Sequence, residues 1–213
     1  MGKNLVLVGG GHAHMVTLAN LHIFMEKGHR VTVIGPSSHH YYSGMGPGML
    51  SKIYTPDDIR FATQHVVEKK GGAFVLGKVT HIDTAERIVF LESGETLPYD
   101  VLSFNAGSYV PQINDTGDGE DLKDIFSVKP IERLQQAQKR ILELVSRKEI
   151  RIGITGGSAA AIEVAGNVWR LCNDSGKNKP KIMMFAGKNF MARFHEKIKK
   201  MARQSLTKRG IEI

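Results

Sequence analysis

The first 26 residues combine a short apolar run, a glycine cluster and a segment with helical periodicity. The apolar run is residues 5–8, glycines occupy 9–11, and Val16, Ala19 and Ile23 then recur at helical spacing. A dinucleotide pyrophosphate is held by a strand, a tight glycine turn and the start of a helix, in this order. The glycines allow close approach of the backbone, and the helix N-terminus favours an anion. This stretch therefore predicts a nucleotide-binding unit.

A second, looser copy of the pattern lies in the other half of the chain. An apolar run at residues 151–155 is followed by Gly156, Gly157 and Ser158, and a helix of small residues begins at 159–161. Two such units predict two nucleotide sites and an α/β fold with parallel sheets, because parallel strands are joined through helices. Ser158 stands where backbone should approach phosphate, which weakens the second site relative to the first.

The stretch between the two copies predicts how the chain is divided. Short β-patterned pieces at residues 73–91 predict a small antiparallel β meander, and a polar connector at 111–121 predicts a domain boundary. We therefore expect two Rossmann-like units, a first domain at 1–110 and an incomplete second domain at 111–213. The last residues, 211–213, have the pattern of a strand start, so we expect the chain to be part of a longer protein.

Further helices are predicted by periodicity and capping residues. Thr55, Pro56 and Asp58 predict a helix that begins there and continues to about residue 70. A long helix is predicted from about residue 130. Another is predicted at 190–208, where packing on the second sheet is favoured over a membrane-surface helix. The inward-facing positions are expected to be Leu134, Ala137, Ile141 and Val145 in the long helix, and Phe190, Phe194, Ile198 and Met201 in the last.

Composition narrows the classes of function. The hydrophobic fraction of 41% and the charged fraction of 23% are ordinary for a globular protein. No apolar run reaches the roughly 18 residues of a membrane span, and a strand begins too early to leave room for a signal peptide. The single cysteine, Cys172, excludes an internal disulfide, so we expect a cytoplasmic location. A net charge of +8 without a recognised nucleic-acid module favours anionic cofactors or a membrane surface over nucleic acid.

Two sets of side chains have competing interpretations. His12, His14, His39 and His40 follow adjacent strands, so a metal site is one interpretation. Phosphate-proximal donors or exposed loop histidines are favoured, because no carboxylate or cysteine joins them at ligand spacing, and no metal is expected. Cys172 is either a redox thiol or a buried structural one. It lacks a partner at CxxC spacing, which favours the structural role and excludes dithiol chemistry.

Ribose recognition departs from the usual pattern in both units. The strand at residues 30–34 ends at Gly35, a position where dinucleotide-binding units often carry an acid that holds a ribose. The hydroxyl of Ser37 is a weaker candidate for that contact. No acid ends the second unit's strand at residues 185–187 either, so the sequence does not separate NADH from NADPH.

Four segments together resemble the FAD-dependent pyridine nucleotide–disulfide oxidoreductase superfamily. Within it, the chain looks most like the branch of type II NADH dehydrogenases and sulfide:quinone oxidoreductases, and closer still like the branch sometimes fused to selenide, water dikinase. The resemblance implies an FAD-binding domain at 1–110 and an NAD(P)H-binding domain at 111–213. The segments are VLVGGGHAH at 6–14, YYSGMGPGML at 41–50, YDVLSFNAGS at 99–108 and VKPIERL at 128–134.

The resemblance also implies the residues of the sites. Glu163 matches an acidic residue near the meeting point of nicotinamide and flavin, and it is the candidate catalytic residue. His14 occupies the third glycine position of the first motif. The implied cofactor contacts are Gly9, Gly11, His12, Ala13 and His14 at the FAD pyrophosphate, Ser43, Gly44 and Met45 beside the flavin ring, Val79 at the adenine, Ala106, Gly107 and Ser108 along the flavin nucleotide, and Gly156, Gly157 and Ser158 at the NAD(P)H phosphates.

The implied activity is hydride transfer from NAD(P)H to FAD, with electrons passing on to a quinone or similar acceptor. The alternative is a non-catalytic flavin- or nucleotide-binding regulatory module, which the weakened second loop would suit. A methyltransferase-type domain fits poorly, because it leaves the second motif unexplained. The expected partners are a nicotinamide dinucleotide, a small-molecule acceptor and a second copy in a homodimer. Peripheral contact with the inner face of the membrane is expected through a part of the protein beyond this chain.

Overall fold

The computed structural model describes residues 2–110, 121–175 and 178–213. Most of the connector predicted at 111–121 lies outside these ranges, so the domain boundary between residues 110 and 111 stays a prediction. The chain forms two compact units. The first holds Met1–Tyr41 and Arg60–Ser108, and the second holds Tyr42–Ile59 and Tyr109–Ile213.

The strands and helices are numbered in chain order. The strands are β1 (Asn4–Val8), β2 (Arg30–Gly35), β3 (His40–Tyr41), β4 (Arg60–Phe61), β5 (Ala73–Leu76), β6 (Val79–Asp83), β7 (Ile88–Leu91), β8 (Thr96–Pro98), β9 (Val101–Phe104), β10 (Arg151–Thr155) and β11 (Lys181–Phe185). The helices are α1 (His12–Ala19), α2 (His22–Glu26), α3 (Gly46–Leu50), α4 (Thr63–Lys69), α5 (Glu132–Arg147), α6 (Ala159–Asp174) and α7 (Glu196–Thr207).

The first unit is built on a parallel sheet with the strand order β5-β2-β1-β9. Leu7 of the central strand β1 lies between Val33 of β2 and Ser103 of β9. Val6, Leu7 and Val33 are buried. A strand that is paired on both edges and covered on both faces requires a continuous apolar run. Strands β6, β7 and β8 form the antiparallel meander. The predicted α/β class with parallel sheets and a small meander is confirmed.

The inward face predicted for the first helix is wrong. Val16 is 71% exposed, and the other two positions predicted to face inward are also exposed. The buried side chains are instead His14, Leu18 and Leu21, at the spacing i, i+4, i+7. The segment also divides into α1 and α2 rather than forming one helix. The prediction failed because it counted only apolar residues, whereas the polar His14 side chain is buried by hydrogen bonds to Gly9 and Ser103.

The single helix predicted from Thr55 to about residue 70 is also wrong. The capping pair itself forms, because the Thr55 hydroxyl donates to Asp58 Oδ2 at 2.7 Å and the Asp58 N–H donates to Thr55 Oγ1 at 3.3 Å. It caps one turn of 3-10 helix, Asp57–Ile59. The chain then extends as β4, which pairs with β3, before α4 begins. Strand pairing therefore overrides the local helix signal.

The second unit contains a smaller parallel sheet. Strands β10 and β11 are joined through α6, and Ile154 pairs with Met184. Glu212 forms a parallel bridge with Met183, and its N–H donates to the Ile182 carbonyl at 3.1 Å. The strand start predicted at residues 211–213 is therefore confirmed as a β-bridge on the outer edge of β11.

The two other predicted helices of this unit have different outcomes. The long helix is confirmed as α5, with Leu134, Ala137 and Val145 buried and Ile141 half-buried.

Among the helices of the described chain, none combines the length and the apolar character that crossing a bilayer requires.

The last helix begins later than predicted, at Glu196. Phe190 is buried ahead of the helix, but Phe194, Ile198 and Met201 are 40%, 45% and 60% exposed. The buried contact of α7 is made by Leu206. The predicted inward face of this helix is therefore wrong, because Phe190 and Phe194 precede the helix, which packs against α6.

Candidate nucleotide-binding sites

The first glycine turn joins β1 to α1 and leaves no space for side chains. Gly9 has a φ of +87°, a left-handed conformation that favours glycine. A Cβ atom on Gly9 or Gly11 would overlap with atoms of Asn105, which follows β9. The Gly9 N–H donates to the Ile34 carbonyl at 2.8 Å, and the Gly11 N–H donates to the Asn105 carbonyl at 3.2 Å. The turn is therefore wedged between the ends of β2 and β9.

The start of α1 is suited to an anion. Gly11 is the N-cap residue and has no side chain to accept the first N–H groups, and the first turn carries no acidic residue. The Ala13 N–H donates to Asn105 Oδ1 at 3.2 Å, which fixes the direction of the helix start. The side chains of His12 and Ala13 are exposed beside it. The partial positive charge of this helix end would stabilise a phosphate group.

The middle glycine of the turn, Gly10, presents bare backbone next to α4. A Cβ atom there would lie 3.1 Å from Thr63 Cγ2 and 3.8 Å from His40 Cβ. The ring of His40 stands edge-on to that of His12, with 6.4 Å between centroids. The Gly10 backbone is bordered by the Thr63 hydroxyl and by the imidazoles of His12 and His40. A pyrophosphate could approach it closely. These residues fit the dinucleotide cofactor predicted for this unit.

His14 supports the turn from the inside. Its side chain is 4% exposed, and its two ring nitrogens lie 2.6 Å from the Gly9 carbonyl oxygen and 2.9 Å from Ser103 Oγ. The imidazole therefore links α1 to the end of β1 and to β9. Its predicted contact with the FAD pyrophosphate stays a prediction, and the structure gives the side chain a supporting role.

The remaining residues predicted at the FAD site in this unit lie on three segments. Ser37, after β2, is exposed and accepts a hydrogen bond from the His39 N–H at 3.2 Å. Val79 begins β6, where it is half-buried against the core beneath β1. Ala106 lies beside the first turn, because a Cβ atom on Gly9 would approach its Cα within 2.7 Å. Gly107, with a φ of +77°, and Ser108 follow it and are exposed.

Ser43, Gly44 and Met45 form a turn of 3-10 helix directly before α3. Gly44 is exposed, and a Cβ atom there would lie 3.0 Å from the Tyr42 ring. These residues belong to the second unit. Their predicted place beside the flavin ring stays a prediction.

The second glycine turn, between β10 and α6, is built differently. Gly156 has a φ of +123°, and a Cβ atom there would meet only the Cβ of Ala161, at 3.5 Å. Ser158 is the N-cap of α6, and its hydroxyl oxygen accepts from the Ala161 N–H at 3.3 Å. The Gly157 carbonyl accepts from the Met191 N–H at 2.6 Å. The side chain of Ser158 is therefore used in capping the helix.

Glu163 lies on the second turn of α6 and is exposed. It lines a cavity of about 310 Å³ together with Ile53 and Trp169. Its backbone carbonyl accepts from the Asn167 side chain at 2.8 Å, and Asn167 Oδ1 accepts from the Ser51 hydroxyl at 2.6 Å. Within the described residues, no salt bridge involves the Glu163 carboxylate. Its predicted role near a nicotinamide stays a prediction.

The alternatives considered for histidine and cysteine are narrowed by the structure. Across the described part of the chain, no group of three or more histidine, cysteine, aspartate or glutamate side chains is arranged to hold a metal ion. Cys172 is buried in α6, as the structural interpretation predicts, and burial raises the pKa of its thiol to about 11.

Asn105 is the site residue that sequence reasoning missed, although its place directly after the strand at 101–104 was a usable signal.

A family comparison decides the identity of the fold. Residues 3–213 match the family described as pyridine nucleotide-disulphide oxidoreductase. The chain belongs to this family. Membership confirms the family predicted from the four sequence segments.

Known proteins resemble this pyridine nucleotide-disulphide oxidoreductase chain over different lengths. The large subunit of nitrite reductase (NADH) from Escherichia coli K12 is 28% identical over 116 residues, 53% of this chain and 13% of that protein. Sulfide:quinone oxidoreductase from Aquifex aeolicus has a TM-score of 0.78 at 21% identity, over 99% of this chain and 50% of that one. NDH2 from Plasmodium falciparum, solved with NADH, has a TM-score of 0.79 at 16% identity, over 100% and 47%. The chain thus spans about half the length of these solved structures.

Proposed function

We propose that the protein containing this chain is an FAD-dependent oxidoreductase that takes hydride from NAD(P)H and passes electrons to a quinone or similar acceptor. The observation that carries the proposal is the pair of strand–glycine turn–helix units, each at the end of its own parallel sheet. Similar folds belong to a sulfide:quinone oxidoreductase and to a protein solved with NADH. Bound FAD would supply the redox chemistry, and the protein supplies position and electrostatics.

In the first unit, the turn at residues 9–11 would hold the FAD pyrophosphate. Asn105 and His14 fix the turn by hydrogen bonds, so its backbone is held in place before the cofactor arrives. Such preorganisation lowers the ordering cost of binding. No acid follows β2, so Ser37 is the proposed hydroxyl contact to the adenosine ribose, with Val79 near the adenine.

In the second unit, Gly156 and Gly157 would receive the NAD(P)H phosphates at the start of α6. The Ser158 cap keeps that helix end in place without adding negative charge. We propose Glu163 as a residue that adjusts the charge around the nicotinamide, because its carboxylate is exposed and without a salt bridge among the described residues. No side chain is required as a covalent catalyst.

Sulfur chemistry by this chain is not proposed. Its one cysteine, Cys172, is buried with a raised pKa of about 11, and a thiol in that state is a poor nucleophile at neutral pH. Homodimer formation and peripheral membrane contact stay predictions.

The test is an anaerobic titration of the purified intact protein. We expect a flavin absorbance spectrum and its bleaching by stoichiometric NADH or NADPH. A protein that contains no flavin and takes up no FAD would contradict the proposal. A yellow protein that neither nucleotide bleaches would instead support the regulatory-module alternative.

A further inference from the structure

The loop after β11 lacks the group that usually selects NADH. In Rossmann-like units an acid at the end of the second strand hydrogen-bonds the ribose 2′-hydroxyl, and an arginine nearby accommodates a 2′-phosphate. Here β11 ends at Phe185, followed by Ala186, Gly187 and Lys188. A cation therefore occupies the loop in which a carboxylate would repel a phosphate.

This loop is held against the second glycine turn. The Gly156 N–H donates to the Phe185 carbonyl at 3.1 Å, and the Met191 N–H donates to the Gly157 carbonyl at 2.6 Å. Met191 has a φ of +49°, a left-handed conformation uncommon for a residue with a side chain. The hydrogen bond to Gly157 stabilises that conformation. The loop that would contact the adenosine ribose and the turn that would contact the phosphates thus form one surface.

A basic groove opens beside the loop, with a volume of about 820 Å³. Five cationic side chains and one carboxylate line it, so its net charge is strongly positive. The charged residues of the basic groove are Lys188 from the loop and Glu196, Lys199, Lys200, Arg203 and Lys208 from α7 and its end.

The charges in the basic groove are only partly neutralised. Glu196 is paired with Lys199 at 2.7 Å, which lowers the pKa of the Glu196 carboxyl. Within the described residues, Lys188, Lys200 and Lys208 make no salt bridge. The Arg203 guanidinium lies 4.3 Å above the centroid of the Phe190 ring, a cation–π contact that orients it without neutralising its charge.

We propose that the second unit selects NADPH, with the 2′-phosphate bound in the basic groove by Lys188 and Lys200. The inference rests on the proposed function, because it names which nicotinamide nucleotide that site takes. A phosphate close to two lysines gains charge-assisted hydrogen bonds that a 2′-hydroxyl does not make. The loop carries no carboxylate that could accept a hydrogen bond from the ribose 2′-hydroxyl of NADH. The site should therefore bind NADPH more tightly than NADH.

The test compares two adenosine nucleotides that differ only in the 2′-phosphate. Isothermal titration of the intact protein with adenosine 2′,5′-bisphosphate and with adenosine 5′-monophosphate measures binding without turnover. We expect the bisphosphate to bind at least about tenfold more tightly. The double variant Lys188→Gln/Lys200→Gln should lose most of this preference while keeping its affinity for the monophosphate. Lys197→Gln is the matched control, since Lys197 lies on α7 outside the basic groove and should leave both affinities unchanged.

The outcomes separate this inference from the proposed function. Equal affinity for the two nucleotides, or an unchanged preference in the double variant, would overturn NADPH selection and leave the nucleotide site in place. Failure of both nucleotides to bind would overturn the proposed function together with the inference. In steady-state assays of the intact protein, NADPH selection predicts that the double variant raises the KM for NADPH with little change in kcat.

Discussion

The two glycine turns have similar sequences but are stabilised in opposite ways. In the first, Gly11 caps α1 without a side chain, and the turn is packed so tightly against Asn105 that a Cβ atom on Gly9 or Gly11 would overlap with it. In the second, a side chain caps the helix, and Gly156 has room for a Cβ atom at ordinary contact distance from Ala161. The first turn relies on the absence of side chains, whereas the second uses one.

The difference shows that a glycine motif does not by itself say which glycines are required. Gly9 and Gly11 are required because they pack against Asn105, which follows β9. The motif alone does not reveal this contact, because Asn105 is far away in the sequence. Ser158 departs from the glycine pattern without opening the turn, because its hydroxyl is used by the Ala161 N–H. A count of glycines alone therefore underestimates how firmly the second turn is held by hydrogen bonds.

The largest expected effect is that of Gly11→Ala. Gly11 has a φ of −65°, so alanine adds no backbone strain, and the whole cost comes from overlap with Asn105. We expect a loss of about 3 kcal/mol in the free energy of unfolding, as for an overpacked core. Urea denaturation of the intact protein measures it. Gly166→Ala is the control, because Gly166 has no positive φ and a Cβ atom there would meet no atom within 4 Å, and an equal loss there would show that packing is not the cause.

Replacing His14 should have the next largest effect. In His14→Leu the Gly9 carbonyl and the Ser103 hydroxyl lose their partner, and leaving buried groups unpaired costs about 2 kcal/mol. Thermal unfolding should show the loss, while His22→Leu on the exposed side of α2 should not. If the two variants unfolded alike, His14 would not support the turn.

Ser158→Ala should have a smaller effect. It removes the N-cap hydrogen bond of α6, which is worth about 1 kcal/mol. Ser158→Thr keeps a hydroxyl at the cap and should restore most of the stability in the same denaturation experiment. If threonine failed where serine succeeds, the hydroxyl would not be the stabilising group.

Cys172 should show the smallest effect, on reactivity rather than stability. Burial raises its pKa to about 11 from a usual value near 8.5, so the thiolate is scarce at pH 8. A thiol reagent should detect no difference between the native protein and its Cys172→Ala variant at pH 8, and one thiol of difference in urea. The native reaction should accelerate as the pH rises toward 11. A fast native reaction at pH 8 would mean that α6 is not packed as described.

The sequence predicted the strands better than the helix faces. Continuous apolar runs such as β1 are required by burial on both faces, so they are visible locally. The face of α7 was wrong because Phe190 and Phe194 precede the helix. The face of α1 was wrong because the His14 side chain is buried by hydrogen bonds to the nearby Gly9 carbonyl and to the distant Ser103 hydroxyl. Asn105 was missed for the same reason, since its contacts with the first turn join residues that are far apart in the chain.

The most direct test of the account is to measure the flavin content and NADPH kinetics of Gly11→Ala and Ser158→Ala in the intact protein. The first turn is proposed to hold FAD and the second NAD(P)H. Gly11→Ala should therefore be purified with most of its flavin missing, whereas Ser158→Ala should keep its flavin and show a higher KM for NADPH. If Gly11→Ala kept its flavin, or if Ser158→Ala lost it to the same extent, the assignment of one cofactor to each turn would be contradicted.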